Sequence, residues 1–360
     1  MEPLTPQHPE SALLALEQQL GAEWHHLTEA RKRSISKRAA LKEALADKDD
    51  EDTSIVVFGS LARDEFTDGS DLDWTLLIDG HADPKHQDLV RTIREIVKLQ
   101  SEKEPGREAT FGSMAWSHSL VHLIGGEDDT NRNTTQRILM LLESAPIRRR
   151  EAYDRVCKTI LDRYILEDPR FIEGEVKCRV PRFLLNDFAR YWRTMAVDFA
   201  YKRRVRAQGG AAIRNIKLRM SRKLIYVSGL LVCFACHLEL TIEARRKLFD
   251  GPDSERRAID FFQKALQRTP LEIPCETFLR FPHLLKTARR VLDSYNGFLG
   301  VLADRDSRKH LEQLLPENEE GDRIYQDLRA LSHEFRDGLL DLFFNKDSNL
   351  FELTRIYGVF

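Results

Sequence analysis

The sequence predicts an α+β protein, in which a small mixed β-sheet core with flanking helices is followed by an α-helical module. Two short apolar runs, Ile55-Val56-Val57-Phe58 and Leu72 to Ile78, read as strands separated by one loop. Helical periodicity brackets them, over residues 10–47 before and His86 to Gln100 after. From about Gln136 to Asn345 the pattern is nearly all helical. These observations divide the 360 residues into an N-terminal helical segment (1–50), a sheet-bearing core (51–150), a helical domain (151–345) and an apolar tail (346–360).

In chain order, Leu13, Leu14, Leu16, Leu20, Trp24 and Leu27 recur at helical spacing, and the acidic stretch Asp47 to Asp52 ends that pattern. The first strand stops at Gly59-Ser60, a helical turn is expected over Leu61 to Phe66, and Thr67-Asp68-Gly69-Ser70 is turn chemistry. After the second strand, Leu89, Ile93, Ile96, Val97 and Leu99 turn one helix towards the core. Glu102 to Arg107 reads as a polar loop, and Met114 to Ile124 as one or two further strands.

Composition narrows the function. With 42% hydrophobic and 32% charged residues the chain is a globular rather than a disordered one. Lys and Arg number 56 against 58 Asp and Glu, so a polyanion site must arise from local clustering. The start, Met1-Glu2-Pro3-Leu4-Thr5-Pro6, has no secretory-signal character. The longest apolar run, Leu224 to Leu238, falls short of the roughly 20 residues of a membrane span and reads as a core helix, so no membrane insertion is expected. Five scattered cysteines, Cys157, Cys178, Cys233, Cys236 and Cys275, do not form a disulfide framework and point to a reducing, cytoplasmic compartment. Cys233 and Cys236 form a C-x-x-C inside an apolar helix, where buried core thiols outweigh a metal or redox site.

The chemistry concentrates in Val57-Phe58-Gly59-Ser60, ten intervening residues, and Asp71-Leu72-Asp73-Trp74. Strand alternation turns Asp71 and Asp73 to one face and Leu72 and Trp74 to the core. Two carboxylates so close repel each other unless a cation lies between them, and hard oxygen ligands suit Mg²⁺ or Mn²⁺. Gly59-Ser60 at a strand end lets backbone N–H groups and a hydroxyl approach phosphate. Metal pair and phosphate cradle together describe phosphoryl transfer. The plainer alternative makes Asp71 and Asp73 ordinary turn and edge-strand acids.

These residues resemble the signature of the DNA polymerase β-like nucleotidyltransferase superfamily. The fuller run Gly59-Ser60, six residues, Thr67-Asp68-Gly69-Ser70-Asp71-Leu72-Asp73 is similar to its cyclic-dinucleotide and oligoadenylate synthase branches and to the protein uridylyltransferases. The resemblance implies a nucleotidyltransferase core whose cleft the helical domain closes. Asp71 and Asp73 would be catalytic metal ligands, with Gly59, Ser60 and Ser70 binding the nucleotide. It implies transfer of a nucleoside monophosphate from a nucleoside triphosphate to a hydroxyl, with Mg²⁺ or Mn²⁺ as cofactor. The product would be a nucleotide oligomer or signal in antiviral defence. A nucleotidylated partner protein or small molecule, and a degenerate fold serving as an antitoxin or binding module, are the alternatives.

The third carboxylate of that pattern is missing from Met114 to His122. Glu108 precedes this segment, Glu127, Asp128 and Asp129 follow Gly125-Gly126, and Asp128 is the candidate third catalytic acid. His118 and His122, on one strand face, are the other substitute. For the triphosphate, Arg214, Lys217 and Ser221 run along one flank of a helical core stripe, with Arg219 and Lys223 on the other side; a solvated basic flank is the alternative. Arg190 and Arg193 around Tyr191-Trp192 offer base stacking, against core packing by Trp192. Arg305 and His310 fit an R-x₄-H pattern resembling the ribonuclease motif of HEPN toxins. In the tail, Tyr357 is a candidate nucleotide acceptor, against simple docking of Arg355-Ile356-Tyr357-Gly358-Val359-Phe360.

Overall fold

A computed structural model describes residues 11–100, 111–172, 179–205 and 210–358. Within them the elements run α1 (Ala12–Leu20), α2 (His25–Ala44), β1 (Thr53–Phe58), α3 (Gly59–Ala62), β2 (Trp74–Ile78), α4 (Lys85–Gln100), β3 (Ser113–Trp116), α5 (Ser117–Val121), α6 (Asn131–Leu142) and β4 (Ser144–Pro146). Helices follow: α7 (Glu151–Leu166), α8 (Pro169–Ile172), α9 (Arg182–Val205), α10 (Ala211–Lys217), a π-turn (Leu218–Arg222), α11 (Lys223–Glu239), α12 (Ile242–Phe249), α13 (Ser254–Leu266) and α14 (Glu272–Arg280). The last are α15 (Leu285–Ala303), α16 (Arg305–Gln313), α17 (Arg323–Phe344), α18 (Asn349–Leu353) and a second π-turn (Thr354–Gly358). The α+β class is as expected. The chain divides into two compact units, Thr28–Arg163, and Met1–Leu27 with Tyr164–Phe360. The sheet-bearing unit is therefore wider than the expected 51–150, and the N-terminal segment is shared between the two.

In the sheet-bearing unit the strand order is β3-β2-β1-β4. β1 runs antiparallel to β2, with Thr53 opposite Ile78 and Val57 opposite Trp74. β1 is also antiparallel to β4, whereas β2 and β3 are parallel. Every residue of β1 and β2 is buried, which is why both read as continuous apolar runs rather than alternating ones. Ile55, Val57, Leu72, Trp74, Leu76 and Ile78 share a core with Leu41 of α2, with Leu45 just after it, and with Val90, Ile93 and Val97 of α4.

Several local expectations change. The first helix breaks at Gly21, where Ala22 N donates back to Glu17 O at 3.0 Å, and resumes at His25. On α4 the buried residues are Val90, Ile93 and Val97, spaced three and four apart, while Leu99 is 87% exposed; the 3.6-residue period puts Leu99 on the far face. The strand expected over Met114 to Ile124 ends at Trp116. The polar Ser117-His118-Ser119 turns into α5, with Ser119 Oγ donating to Trp116 O at 3.1 Å and His122 N to His118 O at 2.9 Å. The unforeseen β4 is a three-residue edge strand, a position that tolerates Pro146.

The helical unit is built from both ends of the chain. Ser11 Oγ donates to the Glu272 carboxylate, and Trp24, 1% exposed, donates through Nε1 to Asp293 Oδ1 at 2.8 Å. α15 and α17 approach closely at Gly338, where a Cβ would stand 2.6 Å from Val291 Cγ2. The helix Ala211–Glu239 is apolar and long enough to cross a membrane, but 72% of its apolar window is buried inside the protein, as a core helix requires. Cys233 and Cys236 are fully buried free thiols whose pKa burial raises, in keeping with core packing. Cys178 lies outside the described residues. The described part of the tail docks on this unit through Leu350, Leu353 and Tyr357.

Candidate active site

β1 delivers its last residue, Phe58, in extended conformation, and Phe58 N donates to Asp73 O at 2.9 Å, carrying the β1–β2 ladder one residue beyond Trp74. Gly59 then turns sharply with φ +66°, a left-handed conformation that disfavours a side chain. A Cβ at Gly59 would stand 3.0 Å from Asp73 Oδ2. The glycine turn and the second carboxylate are thus in immediate contact, as the sequence spacing requires.

Burial alternates along the acidic segment. Leu72 and Trp74 are each 1% exposed in the sheet core, while Asp71 and Asp73 between them are half-buried. β2 itself begins at Trp74, so both aspartates precede the strand rather than lie within it. The helix after Gly59 is a single turn, closed by Arg63 N donating to Gly59 O at 3.0 Å and followed by Glu65 N to Ser60 O at 2.8 Å. Ser60 is half-buried at its second position.

The loop from Arg63 to Ser70 is held rigidly. Arg63, 6% exposed, donates through Nε and Nη2 to Glu65 Oε2 at 2.9 and 2.7 Å, and through Nη1 to Glu143, at the end of α6. Asp64, at φ +64°, pairs with Arg38 Nη1 of α2 at 2.7 Å, and Phe66 N donates to Ser34 Oγ at 3.0 Å. Ser70, expected to bind nucleotide, is buried instead: its Oγ accepts from Thr67 N at 3.1 Å and lies 3.1 Å from Thr67 Oγ1. Its hydroxyl closes the turn that leads into Asp71. Composition signals none of these braces, because Glu143 is 80 positions from Arg63.

Among the described residues no three of His, Cys, Asp and Glu gather closely enough to hold a metal. Asp128 is exposed, its carbonyl accepting from Thr130 N and Asn133 Nδ2, and does not join the aspartate pair. The neighbouring Asp129 is buried against Arg137 at 2.9 Å. His118 and His122 meet edge-on at 5.1 Å between ring centroids, one turn apart at the end of α5 rather than on a strand. Glu108 lies outside the described residues. What remains fits a hard divalent cation in part. Two half-buried carboxylates stand two residues apart just before β2, and Gly59 leaves open the space beside Asp73 Oδ2 that a Cβ would fill.

The other expected residues belong to the helical unit. Ser221 is 5% exposed and accepts from Tyr295 OH at 3.3 Å, so its hydroxyl serves the core. Arg214 and Lys217 are half-buried near the end of α10, the Arg214 guanidinium lying close to Gly210. Trp192 stacks on Tyr226 at 5.7 Å and 13°, while Tyr191 is fully buried. Tyr357 is 8% exposed under the Arg182 guanidinium, which lies 5.3 Å from the ring centroid. That is the packing of a docked tail rather than of a presented acceptor. His310 is engaged by Asp322 Oδ2 at 2.5 Å, at the start of α17.

Residues 38–115 match the family model described as nucleotidyltransferase domain, a stretch that contains Gly59, Asp71 and Asp73. No curated protein and no solved structure matches the chain.

Proposed function

We propose, from the premise that residues 38–115 are a nucleotidyltransferase domain of the polymerase β-like superfamily, that this chain transfers a nucleoside monophosphate from a nucleoside triphosphate to a hydroxyl acceptor, releasing pyrophosphate. The observation that carries the reading is the close approach of Gly59 to the Asp73 carboxylate, two residues after the half-buried Asp71. Asp71 and Asp73 would hold Mg²⁺ or Mn²⁺, the class of ion that such domains typically use. When bound, the ion supplies charge neutralisation at the α-phosphate and favours the ionised acceptor hydroxyl. Gly59 and Ser60 offer backbone N–H groups and a hydroxyl to phosphate oxygens. The Arg63–Glu65–Glu143 brace keeps that turn from reorganising as charge shifts.

The acceptor is a nucleotide or oligonucleotide end, as in a soluble signal of antiviral defence, or the hydroxyl of a protein or a small molecule. A second reading has its own observation: with no third acid gathered among the described residues, the fold binds nucleotide without turning it over. Incubation of the full chain with each α-labelled NTP and dNTP, with Mg²⁺ or Mn²⁺, separates these readings. Labelled soluble oligomers or labelled protein establish transfer; nucleotide binding without pyrophosphate release establishes the second reading. Asp71→Asn and Asp73→Asn should each lower transfer by about three orders of magnitude without unfolding the chain. Full activity in either variant would defeat the assignment.

A further inference from the structure

On the helical unit, basic side chains from two helices outnumber the acid that faces them among the described residues. Arg219 and Lys223 stand one turn apart on the continuous helix Ala211–Glu239, and α17 carries Arg329, His333 and Arg336 at helical spacing. The two helices are tied where Asn215 Nδ2 donates to Tyr325 OH at 2.7 Å, and Arg219 Nε donates to Asn215 Oδ1 at 3.1 Å. That chain fixes the Arg219 guanidinium through one nitrogen and leaves its terminal nitrogens for another acceptor.

Lys223 lies within electrostatic reach of Arg219 and Arg336, and His333 of Arg336, Arg219 and Arg329. Burial first, and these like charges next, bring the Lys223 ammonium down to about 8 and lower His333 as well. Among the described residues the acid facing both groups is Asp337, which is shared between Arg336 at 2.6 Å and Arg290 at 3.6 Å. Lys223, Arg219 and Arg329 are half-buried, and the Arg336 side chain is 46% exposed, so the group is partly desolvated yet reachable. A second observation falls at the same place. Arg219 sits inside the π-turn Leu218–Arg222, a local irregularity found frequently at functional sites.

We propose that Arg219, Lys223, Arg329 and Arg336 form a binding site for a phosphate-rich anion, either a free polyphosphate or the backbone of a single-stranded polynucleotide. Several cations held around one desolvated point cost stability until a multiply charged anion arrives, and guanidinium groups pair phosphate oxygens two at a time. The site is built wholly from residues of the helical unit, and binding there needs no turnover at Asp71 and Asp73.

The test titrates the full chain with inorganic tripolyphosphate and, separately, with a short fluorescent single-stranded RNA, at about 50 and 200 mM salt. The expected result is binding of at least one ligand, weakened about tenfold or more by Lys223→Gln with Arg336→Gln and with a shallower salt dependence. The Asp71→Asn, Asp73→Asn chain should bind as the parent does, which keeps this outcome separate from failure of the transferase reading. Tripolyphosphate binding alone assigns a free polyphosphate, and RNA binding that tripolyphosphate displaces assigns a polynucleotide backbone. A readout free of variants is acetylation of Lys223 near pH 8, which the bound ligand should block. Binding of neither ligand, an unweakened double variant, or Lys223 acetylated equally with saturating ligand would each overturn the proposal.

Discussion

Gly59 holds a backbone conformation with φ +66° while its Cα faces the Asp73 carboxylate. An alanine there would meet both difficulties at once: a strained φ, and a methyl 3.0 Å from Asp73 Oδ2. Gly59→Ala should therefore cost about 1–2 kcal/mol of stability and displace Asp73 enough to lower nucleotide transfer at least about tenfold, as urea denaturation and a transfer assay would show. Lys223 gives a prediction of opposite sign. Its pKa falls from 10.5 to about 8, so the unfolded chain binds the extra proton across that window. Stability consequently rises as pH climbs from 8 to 10.5, and the full penalty stands below pH 8. After discounting for partial exposure, Lys223→Gln should stabilise the unliganded protein by about 1 kcal/mol at pH 7 and flatten that rise; denaturation at pH 7 and 9.5 checks it. At this scale the aspartate pair and its glycine are legible in sequence because two-residue alternation and a strand-end turn are local rules. The partners of Ser70, Ser221 and Tyr357 are not, because a hydroxyl's exposure depends on residues distant in the chain or on how a turn closes.

Strands β1 and β2 and helix α4 announce themselves through length, β-branched content and period. β4 does not: three residues ending in proline show no periodicity, and only pairing with β1 defines them. β3 is about a third of its expected extent because Ser117-His118-Ser119 favours a turn over a ladder. Between elements, the buried Arg63 joins the turn after β1 to the end of α6 through Glu65 and Glu143. Removing the guanidinium by Arg63→Met takes away the buried cation that the Glu65 and Glu143 carboxylates share, and should destabilise the sheet-bearing unit by about 3–5 kcal/mol, read by chemical denaturation. At the α15–α17 contact, Gly338→Ala places a methyl 2.6 Å from Val291 Cγ2. It should cost about 1–3 kcal/mol, and Val291→Ala in the same chain should recover part of that loss.

For the molecule as a whole, the two central strands, the small sheet-bearing core and the long helical stretch after it could be read from periodicity, because each element's pattern is set within a dozen or so residues. The partition could not. Sequence proximity assigns α1 and α2 to one segment, whereas Ser11 and Trp24 bond to Glu272 and Asp293, so the first 27 residues belong with Tyr164–Phe360. A chain ended after Arg163 should accordingly leave α1 open to proteolysis while β1 and β2 stay protected, as limited digestion with mass mapping would show. The same arrangement sets an order of events on the ribosome. Trp24 emerges early, yet its acceptor at Asp293 is made more than two hundred residues later, so α1 must wait while the sheet closes first. During that interval an apolar helix end has no partner, which makes the first segment the natural client of a chaperone on the nascent chain.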